Sequence, residues 1–162
     1  MGVSGCGKSD IGQRVATALG IPFVEGDAWH SPANVAKMAA GIALTDDDRA
    51  AWLGILRDKI AAAASTGASL VLSCSALKRR YRDLLREGDP HLFFIELDGS
   101  RELIEQRMRV RVGHFMPTSL LDSQFHDLEP LQAGERGMRV PITGTLDEVA
   151  GSILRSTELS VR

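Results

Sequence analysis

Cysteines, aromatic residues and long apolar runs are all scarce in this 162-residue sequence. The two cysteines, Cys6 and Cys74, lack metal-ligand spacing, so we expect no disulfide scaffold, and a reducing cytoplasmic location fits them. No apolar run approaches the length of a transmembrane helix and no signal peptide precedes the first motif, so we expect no membrane partner. The formal net charge of -2 provides no broad positive field, so we expect no nucleic-acid partner.

The remaining composition is that of one ordinary globular domain. Apolar residues make up 44% of the chain and charged residues 25%, which is typical of such domains. This length is enough for one hydrophobic core and too short for two. No repeat, linker or low-complexity segment divides the chain, so we predict a single domain over residues 1–162.

A glycine-rich stretch at the start of the chain fits the pattern G-x-x-x-x-G-K-[ST]; it reads Gly2-Val3-Ser4-Gly5-Cys6-Gly7-Lys8-Ser9 and is called the phosphate loop below. Its backbone N–H groups and the following helix N-terminus suit phosphate oxygens. Lys8 is expected to reach the β- and γ-phosphates, and Ser9 to offer its hydroxyl to Mg²⁺. The alternative is a glycine-rich turn that precedes a helix, but apolar residues at helical spacing up to Gly20 favour a nucleotide site.

The β-strand that should lead into such a loop is missing, because Met1 directly precedes it. Three explanations are open: the true start lies upstream, the chain was shortened, or the protein lacks the strand. Our hypothesis is that the start was assigned too late, or that Met1 ends this strand in a longer chain. Without the strand, we expect two unpaired neighbouring strands, a large apolar gap and impaired folding and activity.

Short apolar strands alternate with helices along the rest of the chain. We predict strands near residues 21–25, 70–72, 92–97 and 138–142, and helices that begin after the caps Ser31, Thr45, Ser100 and Thr145. A further helix is predicted near residues 83–86, after a basic segment, and another over 118–128. This alternation predicts an α/β fold with a parallel sheet and helices on both faces. Ligands then collect at the carboxyl edge, with the phosphate loop, Asp27 and residues 74–79.

Several charged residues near this edge are candidates for chemistry. Asp27 follows a strand and is expected to orient or deprotonate an attacking hydroxyl, although an Asp there also caps turns. His30 either touches substrate or closes the turn. Arg49 suits an anionic substrate group, whereas the preceding Asp46-Asp47-Asp48 also fits plain helix capping. In the basic run 78–82, Lys78 is nearest the strand end; the alternative is a solvated face.

Three arginines, Arg107, Arg109 and Arg111, lie where a helix is interrupted by Gly113-His114-Phe115. Cations on a mobile segment can balance transition-state charge and exclude water, so we favour a lid over a solvated helix face.

Taken together, several stretches resemble those of the gluconate kinases, within the group of phosphate-loop small-molecule kinases. The stretches are the phosphate loop; Glu25-Gly26-Asp27 with His30; Asn34 with Lys37-Met38 and Gly41; Leu44 with Asp46-Asp47-Asp48-Arg49 and Trp52-Leu53; Cys74-Ser75-Ala76-Leu77-Lys78 with Tyr81-Arg82-Asp83-Leu84-Leu85-Arg86; and Gly113-His114-Phe115 with Gln124-Phe125. The stretches that contain Arg49 and Lys78 are far more specific to this family than the phosphate loop.

The resemblance implies a five-stranded parallel sheet of the nucleotide-kinase type, ATP-dependent phosphorylation of the 6-hydroxyl of D-gluconate with Mg²⁺, a lid around residues 107–128 and a homodimer. It also implies that Asp27 faces the reacting hydroxyl, that Arg49 and Lys78 hold the sugar acid, and that residues 143–145 border the adenine. The predicted catalytic residues are Lys8, Asp27, Arg107 and Arg111; the nucleotide site is Gly2, Val3, Ser4, Gly5, Cys6, Gly7, Lys8 and Ser9, with Ser9 on the metal; the substrate site is Asp27, His30, Arg49, Lys78 and His114.

Two other functions stay open at this stage. Another small-molecule kinase, acting on shikimate or a nucleoside monophosphate, would also use the basic segment, although no Gly-Gly-Gly motif follows the Cys74 strand. A non-catalytic nucleotide-binding protein would fit the missing strand.

Overall fold

A computed structural model describes residues 1–110 and 118–160 of the chain. Four strands, β1 to β4, are Phe23–Glu25, Val71–Ser73, Phe94–Asp98 and Gly137–Pro141. Seven helices among these residues, α1 to α7, are Lys8–Leu19, Pro32–Ala39, Asp46–Ser65, Arg79–Arg86, Arg101–Val110, Thr118–Asp127 and Leu146–Ser160. A short 3-10 helix, Gly26–Trp29, directly follows β1. The alternation of strands and helices predicted from the sequence is therefore confirmed.

The helix ends follow local side-chain chemistry. Gly20 ends α1 in the left-handed conformation, with φ 67°, which glycine adopts without strain. Thr45 and Asp48 form a capping box at the start of α3, and Thr145 exchanges hydrogen bonds with Glu148 at the start of α7. These caps were expected from sequence because each involves residues within one helical turn.

The helix α4 begins at Arg79, so the expected start near Asp83 is wrong. The reason is burial: Tyr81, Arg82 and Leu85 all face the interior from this helix. These residues are spaced so that they lie on one face of a helix, and burial of that face starts the helix at Arg79, within the basic segment.

The strands form two separate parallel pairs among the described residues, not the single five-stranded sheet that the resemblance implies. Strand β1 pairs with β2, with Val24 opposite Leu72, and β3 pairs with β4, with Glu96 opposite Arg139. Met1 and Gly2 bridge the space between β2 and β3, which is called the inter-sheet slot below.

Met1 supplies a single rung of backbone hydrogen bonds across the slot. Its N-terminal amine donates to Ile95 O at 2.5 Å, and its carbonyl accepts from Leu97 N at 2.9 Å. On the other side, Gly2 N donates to Ser75 O at 3.1 Å. Burial lowers the pKa of the Met1 amine to about 6, because an ammonium group is poorly solvated there.

Next to Met1, the slot opens into a cavity of about 300 Å³. Its walls come from both strand pairs and from the helices that cover them, and include Ile11, Val15, Leu72, Phe94 and Ile95. The expectation of unpaired strands facing an apolar gap is therefore confirmed.

The described residues form two hydrophobic cores, and each includes side chains from both strand pairs. The larger core packs α1, α5, α6 and α7 on the β3–β4 pair and includes fully buried Ile104, Ile142 and Ile153. The second packs α3 and α4 against the end of β2 and includes Trp52 and Leu56. No helix within residues 1–110 and 118–160 combines the length and apolarity needed to cross a membrane.

Candidate active site

The phosphate loop adopts a conformation that only glycine accommodates easily. Gly2, Gly5 and Gly7 have φ values of 138°, 80° and 94°. A Cβ on Gly5 would also meet the side chain of Met108 at 2.7 Å. The loop leads directly into α1, whose first N–H groups have no side-chain cap. A curled backbone before an uncapped helix N-terminus is suited to bind a polyphosphate.

Lys8 and Ser9 lie at the start of α1, where the motif predicts them. The Lys8 ammonium donates to the loop carbonyl of Val3 at 2.9 Å. Ser9 is half-buried in the first helical turn. No group of three potential ligands for a metal is found among the described residues. Mg²⁺ usually keeps several waters and binds one or two protein oxygens plus phosphates, so the single Ser9 hydroxyl fits it.

Asp27 is held at the carboxyl end of β1 by a tight crossing of two backbones. Gly26 N donates to Ser73 Oγ at 3.2 Å, and Gly26 O accepts from the indole of Trp52 at 2.8 Å. A Cβ on Gly26 would collide with Ser73 O, so only glycine fits there. The Asp27 side chain itself is 65% exposed, which leaves its carboxylate available to a ligand.

His30 is buried beside Asp27, with its side chain only 4% exposed. Its ring stacks on Trp52 with centroids 4.1 Å apart, and its Nε2 lies 3.9 Å from Asp27 Oδ1. Burial lowers the pKa of His30 below its ordinary value, although the Asp27 charge opposes this shift. The buried Nδ1 has no hydrogen-bond partner, so a neutral ring offers one free polar atom.

Arg49 lies in the first turn of α3 and is buried. One guanidinium nitrogen donates to Leu44 O at 3.4 Å, whereas the buried Nε has no partner. The guanidinium lies 5.9 Å from the centre of the Tyr81 ring. A buried cation with an unused donor is an energetic cost that an anionic ligand would remove.

Lys78 lies just after the β2 end, between two carboxylates. Its ammonium is 3.2 Å from Asp46 and 3.3 Å from Asp127. Asp46 also accepts hydrogen bonds from the Tyr81 hydroxyl and from Arg80. The Tyr81 hydrogen bond is the main cause of the lowered pKa of Asp46, so this carboxyl stays ionised. Asp46 therefore has a role beyond helix capping.

Side-chain interactions link these residues into one group, the acceptor cluster of Asp27, His30, Arg49, Tyr81 and Lys78. His30 stacks on Trp52, which lies three residues after Arg49 on α3, and the Tyr81 ring is 5.8 Å from the Lys78 ammonium. Gly2 N in the phosphate loop donates to Ser75 O, so the cluster adjoins the loop. Cys74, the residue before Ser75, is buried. Burial raises the pKa of Cys74 to about 12, so the thiol is neutral.

Arg107, predicted to be a catalytic arginine of the lid, binds backbone carbonyls just after β4. It donates to Ile142 O at 2.5 Å and to Gly144 O at 3.2 Å, and so holds the loop predicted to border the adenine. Arg109 is 81% exposed on α5. Arg111, His114 and the interruption at 113–115 lie outside the described residues, so the lid stays a prediction.

Arg82 differs most from its sequence interpretation as part of a basic run. Its side chain is fully buried and forms two hydrogen bonds of 2.7 Å with Glu135, whose side chain is also buried. The same guanidinium donates to the carbonyls of Ala76, Leu77 and Glu129. Ala76 has a φ of 42°, a left-handed conformation that costs energy outside glycine. Arg82 therefore stabilises the strained turn that precedes Lys78.

Replacing Glu135 with Gln should lower the free energy of unfolding at pH 7 by about 3 kcal/mol, because it leaves Arg82 buried without its counter-ion. The Arg82 hydrogen bonds lower the Glu135 pKa to about 2 from an ordinary 4.5. The stabilisation is complete above about pH 4.5 and is lost as the pH falls through 2. Urea unfolding between pH 3 and 7 should show this acid loss for the native chain and not for the variant.

Glu87→Gln is the matched control, since Glu87 is 63% exposed and its ion pair with Arg57, at 3.6 Å, is on the surface. It should change stability by less than about 1 kcal/mol. Equal acid sensitivity in the Glu135 variant and the native chain would contradict the assigned role of the buried pair.

Sequence reasoning missed Asp127, Glu135 and the burial of Arg82. Tyr81 and Arg82 lie in a stretch that carries the family resemblance, which was the available signal for them. Asp127 and Glu135 carried none, because each meets its partner only in the folded chain.

The chain is similar to a known protein family, to curated proteins and to solved structures. Residues 1–131 match a family described as an AAA domain. The thermosensitive gluconokinase of Escherichia coli K12 is 44% identical over 100% of this chain and 87% of its own length. A crystal structure of a Janibacter sugar kinase is 48% identical with a TM-score of 0.91, covering 96% of this chain and 90% of that one. A gluconokinase structure from Sinorhizobium meliloti is 41% identical with a TM-score of 0.83, covering 100% and 95%.

Proposed function

The chain belongs to the gluconokinase family, and we propose that it transfers the γ-phosphoryl group of ATP to the 6-hydroxyl of D-gluconate, giving ADP and 6-phospho-D-gluconate. The observation that carries this proposal is the acceptor cluster, which brings a carboxylate and two cations beside a phosphate loop. This is the set that a hydroxyl nucleophile on an anionic molecule needs.

On the donor side, the loop amides and Lys8 would bind the phosphates. Lys8 now donates to Val3 O, a contact that a phosphate oxygen would replace. When bound through Ser9, Mg²⁺ would neutralise part of the phosphate charge. The chain contributes electrostatic stabilisation and alignment, because phosphoryl transfer needs little other chemistry from the protein.

On the acceptor side, Asp27 would accept the proton of the 6-hydroxyl group of gluconate. The hydroxyl oxygen would bond to the γ-phosphorus of ATP as the bond from that phosphorus to ADP breaks. Trp52 and Gly26 fix the backbone that carries this carboxylate. The neutral His30 ring offers Nδ1 to a hydroxyl of the sugar chain.

The carboxylate of gluconate would bind Arg49 and Lys78. Arg49 has an unused buried donor, and Lys78 is a cation that now pairs with Asp46 and Asp127. A neutral sugar would leave the buried Arg49 Nε without an anionic partner, so the cluster favours a sugar acid. Arg111 and His114 remain predicted contributors, and a homodimer remains a prediction that light scattering on the purified protein tests.

The proposal is tested by ADP release with Mg·ATP and D-gluconate, shikimate or AMP as acceptor. Of the three acceptors, we expect turnover with D-gluconate alone. Lys8→Ala should lower kcat at least about 100-fold, because it removes a cation that binds the phosphates. Lys59→Ala serves as control, because Lys59 lies on α3 over the Trp29 ring. Turnover with shikimate or AMP instead of D-gluconate would refute the proposed substrate.

A further inference from the structure

The helix α6 contacts both the phosphate loop and the acceptor cluster. Ser4 N in the loop donates to Gln124 Oε1 at 2.6 Å. Asp127 lies 3.3 Å from the Lys78 ammonium. These two α6 residues are three positions apart and so lie on one face of the helix. One turn of α6 therefore contacts Ser4 in the predicted nucleotide site and Lys78 in the predicted acceptor site.

The helix is anchored independently of these two contacts. Leu121 is fully buried in the larger core. Just beyond the helix, Glu129 N donates to Leu77 O at 2.9 Å, and the Glu129 carbonyl accepts from Arg82 at 3.0 Å. Release of Gln124 or Asp127 would therefore leave the fold of α6 in place.

Each of the two contacts occupies a group that a ligand would use. The Ser4 N–H belongs to the loop that surrounds the phosphates, and Gln124 now accepts from it. Lys78 would bind the acceptor carboxylate, and Asp127 now competes for its charge. Asp127 is the last residue of α6, where a negative charge is unfavourable, so the Lys78 pair is what holds it there.

We propose that Gln124 and Asp127 couple the nucleotide and acceptor sites through α6, and this inference rests on the proposed function. In one state both contacts are made; in the other both are released. Nucleotide phosphate favours release by competing for Ser4, and the acceptor carboxylate favours release by competing for Lys78. Because both ligands favour the same state, each raises the affinity for the other by the same factor.

Calorimetric titration measures this coupling without turnover. In the native protein, a non-hydrolysable ATP analogue with Mg²⁺ should raise the affinity for D-gluconate about tenfold, and D-gluconate should raise analogue affinity equally. Asp127→Asn should bind D-gluconate more tightly without nucleotide and lose most of the nucleotide effect. Gln124→Ala should lose the effect as well, and the double variant should lose no more than either single variant.

Matched controls are Asp122→Asn on the same helix, where Asp122 pairs with Arg101, and Gln106→Ala on the exposed side of α5. Both should keep the full coupling. Native coupling that persists in Gln124→Ala and Asp127→Asn would overturn the inference, as would independent binding of the two ligands to the native protein. Absence of any D-gluconate binding would instead overturn the proposed function, and the inference with it.

Discussion

Adding five apolar, strand-forming residues directly before Met1 is expected to raise the melting temperature by about 15 °C. The added strand would enter the inter-sheet slot and pair with the inner edges of β2 and β3, where Met1 now binds β3 and Gly2 binds Ser75 beyond β2. Valine and isoleucine suit a parallel strand that is buried on both faces.

The size of the effect follows from the cavity. At about 24 cal/mol per Å³, a cavity of about 300 Å³ corresponds to a loss on the order of 7 kcal/mol. In a domain of this size, 1 kcal/mol shifts the melting temperature by about 2–4 °C. The extension also replaces the buried Met1 ammonium with a neutral amide, which removes a desolvation cost.

Differential scanning calorimetry gives the measurement. A five-residue Gly-Ser extension controls for added length, and an apolar extension with a central proline controls for the backbone pairing. Neither should raise the melting temperature by more than a few degrees. An equal rise with all three extensions would show that the slot does not accept a strand.

Asp27→Asn should lower kcat for D-gluconate phosphorylation by about 100- to 10,000-fold while changing the gluconate KM by only a few-fold. Asparagine keeps the size of the side chain and one acceptor oxygen, but its amide cannot take the proton of the attacking hydroxyl. Steady-state ADP release at varied D-gluconate separates the two parameters.

The control for this change is Asp58→Asn, because Asp58 is 69% exposed on α3 and pairs with its neighbour Arg57. Its kinetics should equal those of the native chain. If Asp27→Asn kept more than a tenth of native kcat, Asp27 would serve binding or turn structure and another group would take the proton.

The parts of the fold that were predictable from sequence depend on neighbouring residues. Capping by Ser31, Thr45 and Thr145 involves side chains and amides three residues apart, so the pattern is visible in the sequence. The phosphate loop is equally local, since its glycines supply backbone conformations directly.

The parts that were not predictable depend on long-range contacts. A run of basic residues does not reveal that Lys78 meets Asp127 or that Arg82 meets Glu135, a partner 53 residues away. Arg80 is exposed and Arg82 is buried, although both lie in the same basic run. The sequence of the run does not show which arginine is buried. Arg107 was equally ambiguous, because only the fold brings it to the carbonyls after β4.

The Arg82 anchor has a consequence for hydrogen–deuterium exchange in the segment that follows α6. Residues 129–135 form neither helix nor strand, and most of their side chains face solvent. Yet the amides of Glu129, Leu131 and Gln132 donate to Leu77 O, Glu96 and Glu135 respectively. The amide protons of Glu129 and Gln132 should therefore exchange as slowly as those of the sheet, because their acceptors, Leu77 O and Glu135, are also bound by the buried Arg82.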